Sequence, residues 1–128
     1  MLGVSALFLF KKESFMEVVD RPWGYFLVLD EDKDSKTKKI VVHPNQRLSL
    51  QRHCKRDEHW FITHGLAVVT MNDAALNLKK GQQVTIPRMV RHRVHNTGTE
   101  DLVFIEIQTG EYFGEDDIER FEDDYERE

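Results

Sequence analysis

An all-β fold, a barrel or sandwich with one short C-terminal helix, is what this sequence predicts, on three observations. Short runs rich in Val, Ile, Leu, Phe and Thr recur along the chain, and Gly, Asn, Asp or Pro bounds most of them. No helical period separates them, as it would in an alternating α/β chain. Only the tail has one: in "EDDIERFEDDYERE", Ile118, Phe121 and Tyr125 recur at i, i+3 and i+7 behind acidic residues.

The elements follow in order. The opening "MLGVSALFLFKK" has a short apolar run, but its lysines follow the run, no small-residue cleavage site is evident, and it is too short to span a bilayer. Residues 1–20 therefore read as an N-terminal extension, a docked or exchanged strand, with Met16 as an alternative start. Residues 21–128 read as one domain. Its strands are expected at "GYFLVLD", "KTKKIVVHP", "QRLSLQRH", "HWFITHG", "LAVVTMND", "AALNLKKG", "QQVTIPR", "HRVHNTG" and "DLVFIEIQTG". "MNDAAL" places turn residues between two such runs and reads as a hairpin. The amphipathic tail reads as a helix capping one end of the barrel.

A chain of 128 residues, 40% hydrophobic and 32% charged, suits one globular domain with a real core. The net charge is -5, and acidic side chains crowd between Glu111 and Glu128, which argues against a nucleic-acid or anionic-membrane partner. The single cysteine, Cys54, cannot form an internal disulfide, so a cytoplasmic location is expected.

Chemistry concentrates in "LSLQRHCKRDEHW". Side chains alternate along a strand, so Gln51 and His53 share a face opposite Leu48 and Leu50, and Glu58 shares one with Trp60 beyond the turn "CKRD". Paired as a hairpin, these strands bring a Gln oxygen, a His nitrogen and a Glu oxygen together, as a divalent metal requires. A polar hairpin face that simply meets water is the plain alternative. His43, His59, His64 and His95 read first as surface or packing residues, and Trp23 and Trp60 as core or pocket walls.

A second stretch, "GQQVTIPRMVRHRVHN", runs from Gly81 to Pro87, His92 and Asn96. The first runs from Asn45 to Gln51, His53, Glu58 and Gly65. Together they resemble the two signature motifs of the cupin superfamily, G(X)5HXH(X)3-4E(X)6G and G(X)5PXG(X)2H(X)3N. The resemblance implies a double-stranded β-helix (jelly-roll) barrel holding a metal from both motifs. Asn45 and Met89 stand at motif glycines, and Gln51 at the first histidine.

A closer resemblance covers nearly the whole chain after residue 20. "RPWGYFLVLD", "KKIVVHPNQRLSLQRH", "EHW", "HRVHN" and "FIEIQTGEYFGEDDIERFED" are similar to the C-terminal isomerase domain of type II mannose-6-phosphate isomerases, which many members fuse to a mannose-1-phosphate guanylyltransferase domain. The resemblance implies Gln51, His53, Glu58 and His92 as metal ligands, with zinc the expected metal and manganese, cobalt, nickel or iron also suited. It implies interconversion of mannose 6-phosphate and fructose 6-phosphate, with the catalytic base open among Lys39, Glu106 and His59. Arg21, Arg88, Arg91 and Arg93 are the candidates for gripping the sugar phosphate. No Gly-rich nucleotide loop occurs, which argues against nucleotidyl transfer by this chain. The alternatives are a non-catalytic cupin binding a sugar phosphate or nucleotide sugar, and an iron oxygenase, against which Gln51 argues. A homodimer is expected, since edge strands need protection.

Overall fold

The structure, a computed structural model, describes residues 16–125. They form β1 (Val18–Arg21), β2 (Gly24–Glu31), β3 (Ser35–Val42), β4 (Leu50–Arg52), β5 (Arg56–His64), β6 (Leu66–Met71), β7 (Ala74–Lys79), β8 (Gln83–Ile86), β9 (His92–His95), β10 (Leu102–Gly110) and β11 (Glu119–Glu122). One sheet has the order β1-β2-β3-β10-β5-β8 and the other β11-β4-β9-β6-β7, and every pairing between these strands is antiparallel. The all-β expectation holds. So does the "MNDAAL" hairpin, whose strands β6 and β7 pair Met71 with Ala74 around Asn72 at φ 51°. Residues 1–15 of the expected N-terminal extension 1–20 lie outside the described residues, and among the described ones pairing begins at Val18.

The tail is a correction. Residues 119–122 form a strand on β4, pairing Glu119 with Arg52 and Arg120 with Gln51, and no helix occurs among the described residues. Helical spacing there competes with an open sheet edge and three arginines. Arg52 Nε donates to Glu119 Oε1 at 2.6 Å, Arg93 Nη1 to Glu122 Oε2 at 3.2 Å, and Arg47 grips Asp124 with two donors at 2.6 and 2.9 Å. An isolated acidic helix this short is marginal in water, so the ladder and its ion pairs prevail.

Alternation along the strands divides the interior. On β10, Leu102, Phe104, Glu106 and Gln108 face inward and are buried, and on β3 Lys38, Ile40 and Val42 do the same. One end is therefore an apolar plug of Val42, Ile62, Val69, Val94, Leu102 and Phe104, each fully buried. Burying a Val, Leu, Ile or Phe side chain is worth about 1.5–3 kcal/mol, so the plug holds the sheets together. The other end is polar and forms the site.

The motif ends tie the sheets. Asn45 N donates to Asn96 O at 3.0 Å and Asn96 N to Gln46 O at 3.0 Å. The fully buried Asn96 side chain donates to Val42 O and Glu100 O, both at 2.8 Å. Asn45 (φ 65°), Gly65 (φ 84°), Gly81 (φ 89°) and Met89 (φ 68°) all occupy the left-handed region. These are the motif's glycine positions, so the backbone keeps the turns where Asn and Met replace glycine.

Candidate metal centre

His53 follows β4, His92 opens β9 and Glu58 lies on β5, so the cluster spans both sheets. This corrects the hairpin expectation: β4 pairs with β9 and β11, and β5 with β10 and β8. Gln51 and Glu58 instead line one pocket from different sheets. The three groups are buried at 4%, 2% and 3% exposure for His53, Glu58 and His92, and their candidate ligand atoms lie within 4.8 Å of one another. Gln51 lines a pocket with Glu58 and His92 and is the Cα partner of His92. Its amide nitrogen donates to Ser49 Oγ at 2.9 Å, which leaves the oxygen as its ligand end.

Backbone carbonyls set both imidazoles. His53 Nδ1–H donates to Asp117 O at 2.6 Å and His92 Nδ1–H to Val90 O at 3.0 Å. The Nε2 lone pairs are thereby left on the Glu58 side, at 3.1 Å from Oε2 for His53 and 3.7 Å from Oε1 for His92. Asp117 also receives Cys54 N at 3.1 Å and Lys55 N at 3.0 Å, clamping the loop that carries His53. Met89 N donates to His53 O at 2.8 Å, so the two motif loops brace each other. Convergent acceptors repel one another unless a cation sits among them. Two imidazoles, a carboxylate and an amide oxygen fit a divalent transition metal.

The carboxyls split in protonation. Burial acts to raise Glu58, but the electrostatic influence of the neighbouring His92, Arg56 and His53 side chains outweighs it and holds Glu58 well below the usual carboxylate range. Burial, then the charge of Glu58, pushes Glu106 up to about 8. Burial is also the main cause that lowers His53.

Of the three candidate bases, only Glu106 faces the pocket, where Gln108 Nε2 donates to it at 2.6 Å. Lys39 is exposed. Its neighbour Lys38 is the buried one, opposite Glu106 in the ladder, with Nζ 2.5 Å from Glu115 Oε1 and 4.1 Å from the Phe26 ring centre. His59 is on the outer face of β5, bonded to Thr85 and Gln83 at 2.8 and 2.9 Å.

Of the four arginines, Arg21 and Arg93 line the pocket. Arg93 is committed to Leu48 O and Glu122, whereas Arg21 lies over Phe26 and donates to Asp20 O, with no carboxylate partner among the described residues. Arg88 is tied to Glu111 and Asp57 away from the pocket, and Arg91 is exposed over Phe121. Sequence reasoning missed Lys38, Arg56 and Arg120, which also line it. Strand parity was the available signal: Lys38 alternates with Ile40 and Val42, and Arg56 with Glu58 and Trp60. The pocket is open to solvent and walled by Trp23 and Trp60.

Comparison with known proteins places this geometry. The family described as "Mannose-6-phosphate isomerase C-terminal" matches residues 11–123. Xanthan biosynthesis protein XanB of Xanthomonas campestris pv. campestris is 47% identical over 109 residues, covering 85% of this chain and 23% of the relative. Mannose-1-phosphate guanylyltransferase 2 of Escherichia coli O157:H7 is 39% identical over 110 residues, covering 86% and 23%. The chain thus spans about a quarter of the length of these relatives. Among solved structures, a protein with a double-stranded beta-helix domain from Klebsiella pneumoniae superposes with TM-score 0.67 at 22% identity, covering 75% of this chain and 82% of that one. The barrel is therefore a double-stranded β-helix, and the chain belongs to the mannose-6-phosphate isomerase C-terminal family.

Proposed function

We propose that this chain is a metal-dependent aldose–ketose isomerase interconverting mannose 6-phosphate and fructose 6-phosphate, its metal held by Gln51, His53, Glu58 and His92. The observation that carries the reading is a pocket in which convergent acceptor atoms meet a second buried carboxyl, Glu106, whose proton affinity is raised to about 8. When bound, a divalent metal polarises the sugar's carbonyl and stabilises charge on its oxygens.

The rest falls to the chain's own side chains. Glu106 takes the proton from C2 of the open-chain aldose and returns it to C1, while the hydroxyl proton of O2 passes to O1. A carboxyl with raised affinity is a stronger base than an exposed one and suits proton exchange near neutrality. Lys38, directly across the ladder, opposes the raise and keeps part of the population ionised. Trp23 and Trp60 restrict water at the reacting carbons. Arg21, which has no carboxylate partner among the described residues, is the cation proposed for the phosphate, whose binding orients C1 and C2.

The test is metal analysis of the purified chain, then a coupled isomerase assay with mannose 6-phosphate. Glu106→Gln is expected to lose turnover and keep its metal. Arg21→Ala is expected to weaken binding of mannose 6-phosphate, but not of mannose, by about 1–3 kcal/mol. Saturable binding of mannose 6-phosphate with no turnover under any divalent metal would overturn isomerisation and leave the non-catalytic sugar-phosphate reading.

A further inference from the structure

We infer, on the strength of the metal centre proposed above, that the Arg56 guanidinium competes with a divalent metal for two of its donor atoms and so sets how tightly this chain holds it. Arg56 is 5% exposed. Its Nε and Nη2 each lie 2.9 Å from Glu58 Oε2, and Nη2 lies 3.2 Å from His53 Nε2. His53 Nδ1 carries its proton toward Asp117 O, so Nε2 has one lone pair. That lone pair can accept from Arg56 or ligate a metal, and cannot do both. Charge works the same way: a fixed cation about 3 Å from the donors repels a second cation in a medium that screens poorly.

Displacement is nonetheless feasible. The seat of Arg56 is incomplete, since its Nη1 is buried with no hydrogen-bond partner among the described residues. Glu106 and Glu115 both act on its charge and can receive the guanidinium once it leaves His53. The donors do not depend on Arg56 for their orientation either. Trp60 Nε1 donates to Glu58 Oε1 at 3.0 Å, and Asp117 O and Val90 O hold the two imidazoles. A residue that only positioned Glu58 would strengthen metal binding, whereas a competitor weakens it. The sign of one substitution separates the two.

The experiment is calorimetric titration of zinc into the metal-stripped chain, unsubstituted, Arg56→Met and Arg56→Lys. Methionine removes charge and donors at similar length, and lysine keeps the charge but not the fork that spans Glu58 and His53. Arg56→Met is expected to bind zinc about tenfold tighter or more, the equivalent of one charged hydrogen bond no longer displaced, with Arg56→Lys between it and the unsubstituted chain. Should Arg56→Met not fold, Arg56→Lys decides by the same sign. Zinc binding that is unchanged or weaker in the substituted chain overturns the competition and leaves the metal centre standing. No zinc binding by any form overturns both.

Discussion

Individual positions in this chain show where backbone and chemistry disagree. Met89 sits at φ 68° where the motif has glycine, and it is 47% exposed, so little packing offsets the strain. A left-handed residue with a side chain costs about 1–2 kcal/mol, and glycine returns part of that through the unfolded chain's entropy. Met89→Gly is therefore expected to stabilise the protein by about 0.5–1 kcal/mol in urea unfolding. Asn45 occupies the same region at φ 65° with a residue type that tolerates it. Parity is equally decisive for the side chains. Lys38 and Lys39 are adjacent and chemically identical, yet one is buried beside Glu106 and the other meets solvent.

Elements matter through what they pin. Among the described residues β4 is paired by β11 and β9 alone, and its register with β9 consists of Gln51 with His92. Ending the chain after Ile118 removes Glu119 and Arg120 from that ladder while keeping the Asp117 clamp on His53. The truncated chain is expected to lose hydrogen-exchange protection at Gln51 and Arg52 and to bind zinc about tenfold more weakly, because Gln51 and His53 must then be ordered by the metal itself. Unchanged exchange at both residues would contradict this role for β11. Single surface ion pairs are worth little, but here Arg47, Arg52 and Arg93 act on one short segment.

For the molecule as a whole, the site is a clasp between sheets. A metal bound to the candidate ligands His53, Glu58 and His92 would join both layers and stabilise only the folded chain. At a free concentration about a hundredfold above its dissociation constant it adds about 2.7 kcal/mol, roughly 10 °C in Tm for a domain of this size. Zinc is expected to produce that rise in the unsubstituted chain and not in His92→Ala, read by calorimetric scanning with chelator as the control. The same network makes the metal-stripped protein pH-sensitive. Glu106, raised to about 8, binds its proton more tightly folded than unfolded, so its contribution is lost as pH rises toward 8. His53, lowered by burial, opposes this only below its ordinary value of 6.5, where the unfolded chain takes up the proton first. Between pH 6.5 and 8 stability is thus expected to fall with rising pH, and Glu106→Gln to flatten the fall.

Much of this was legible in the sequence because strand period and turn chemistry are local. Alternation placed Glu58 with Trp60, "MNDAAL" announced its hairpin, and two motif spacings together marked the barrel. Leu48, expected opposite Gln51, instead lines the same pocket as Gln51, because it precedes β4 and escapes the strand period. Non-local pairing was not legible. The tail carries a helical spacing, and only the open edge of β4 and three arginines from elsewhere in the chain make it a strand. Which lysine enters, which arginines are spent on carboxylates, and that a guanidinium stands among the candidate metal donors are likewise tertiary outcomes. Local sequence determines the face on which a side chain emerges. What it meets there depends on the partner strand, and that is selected by burial and charge summed over the whole barrel.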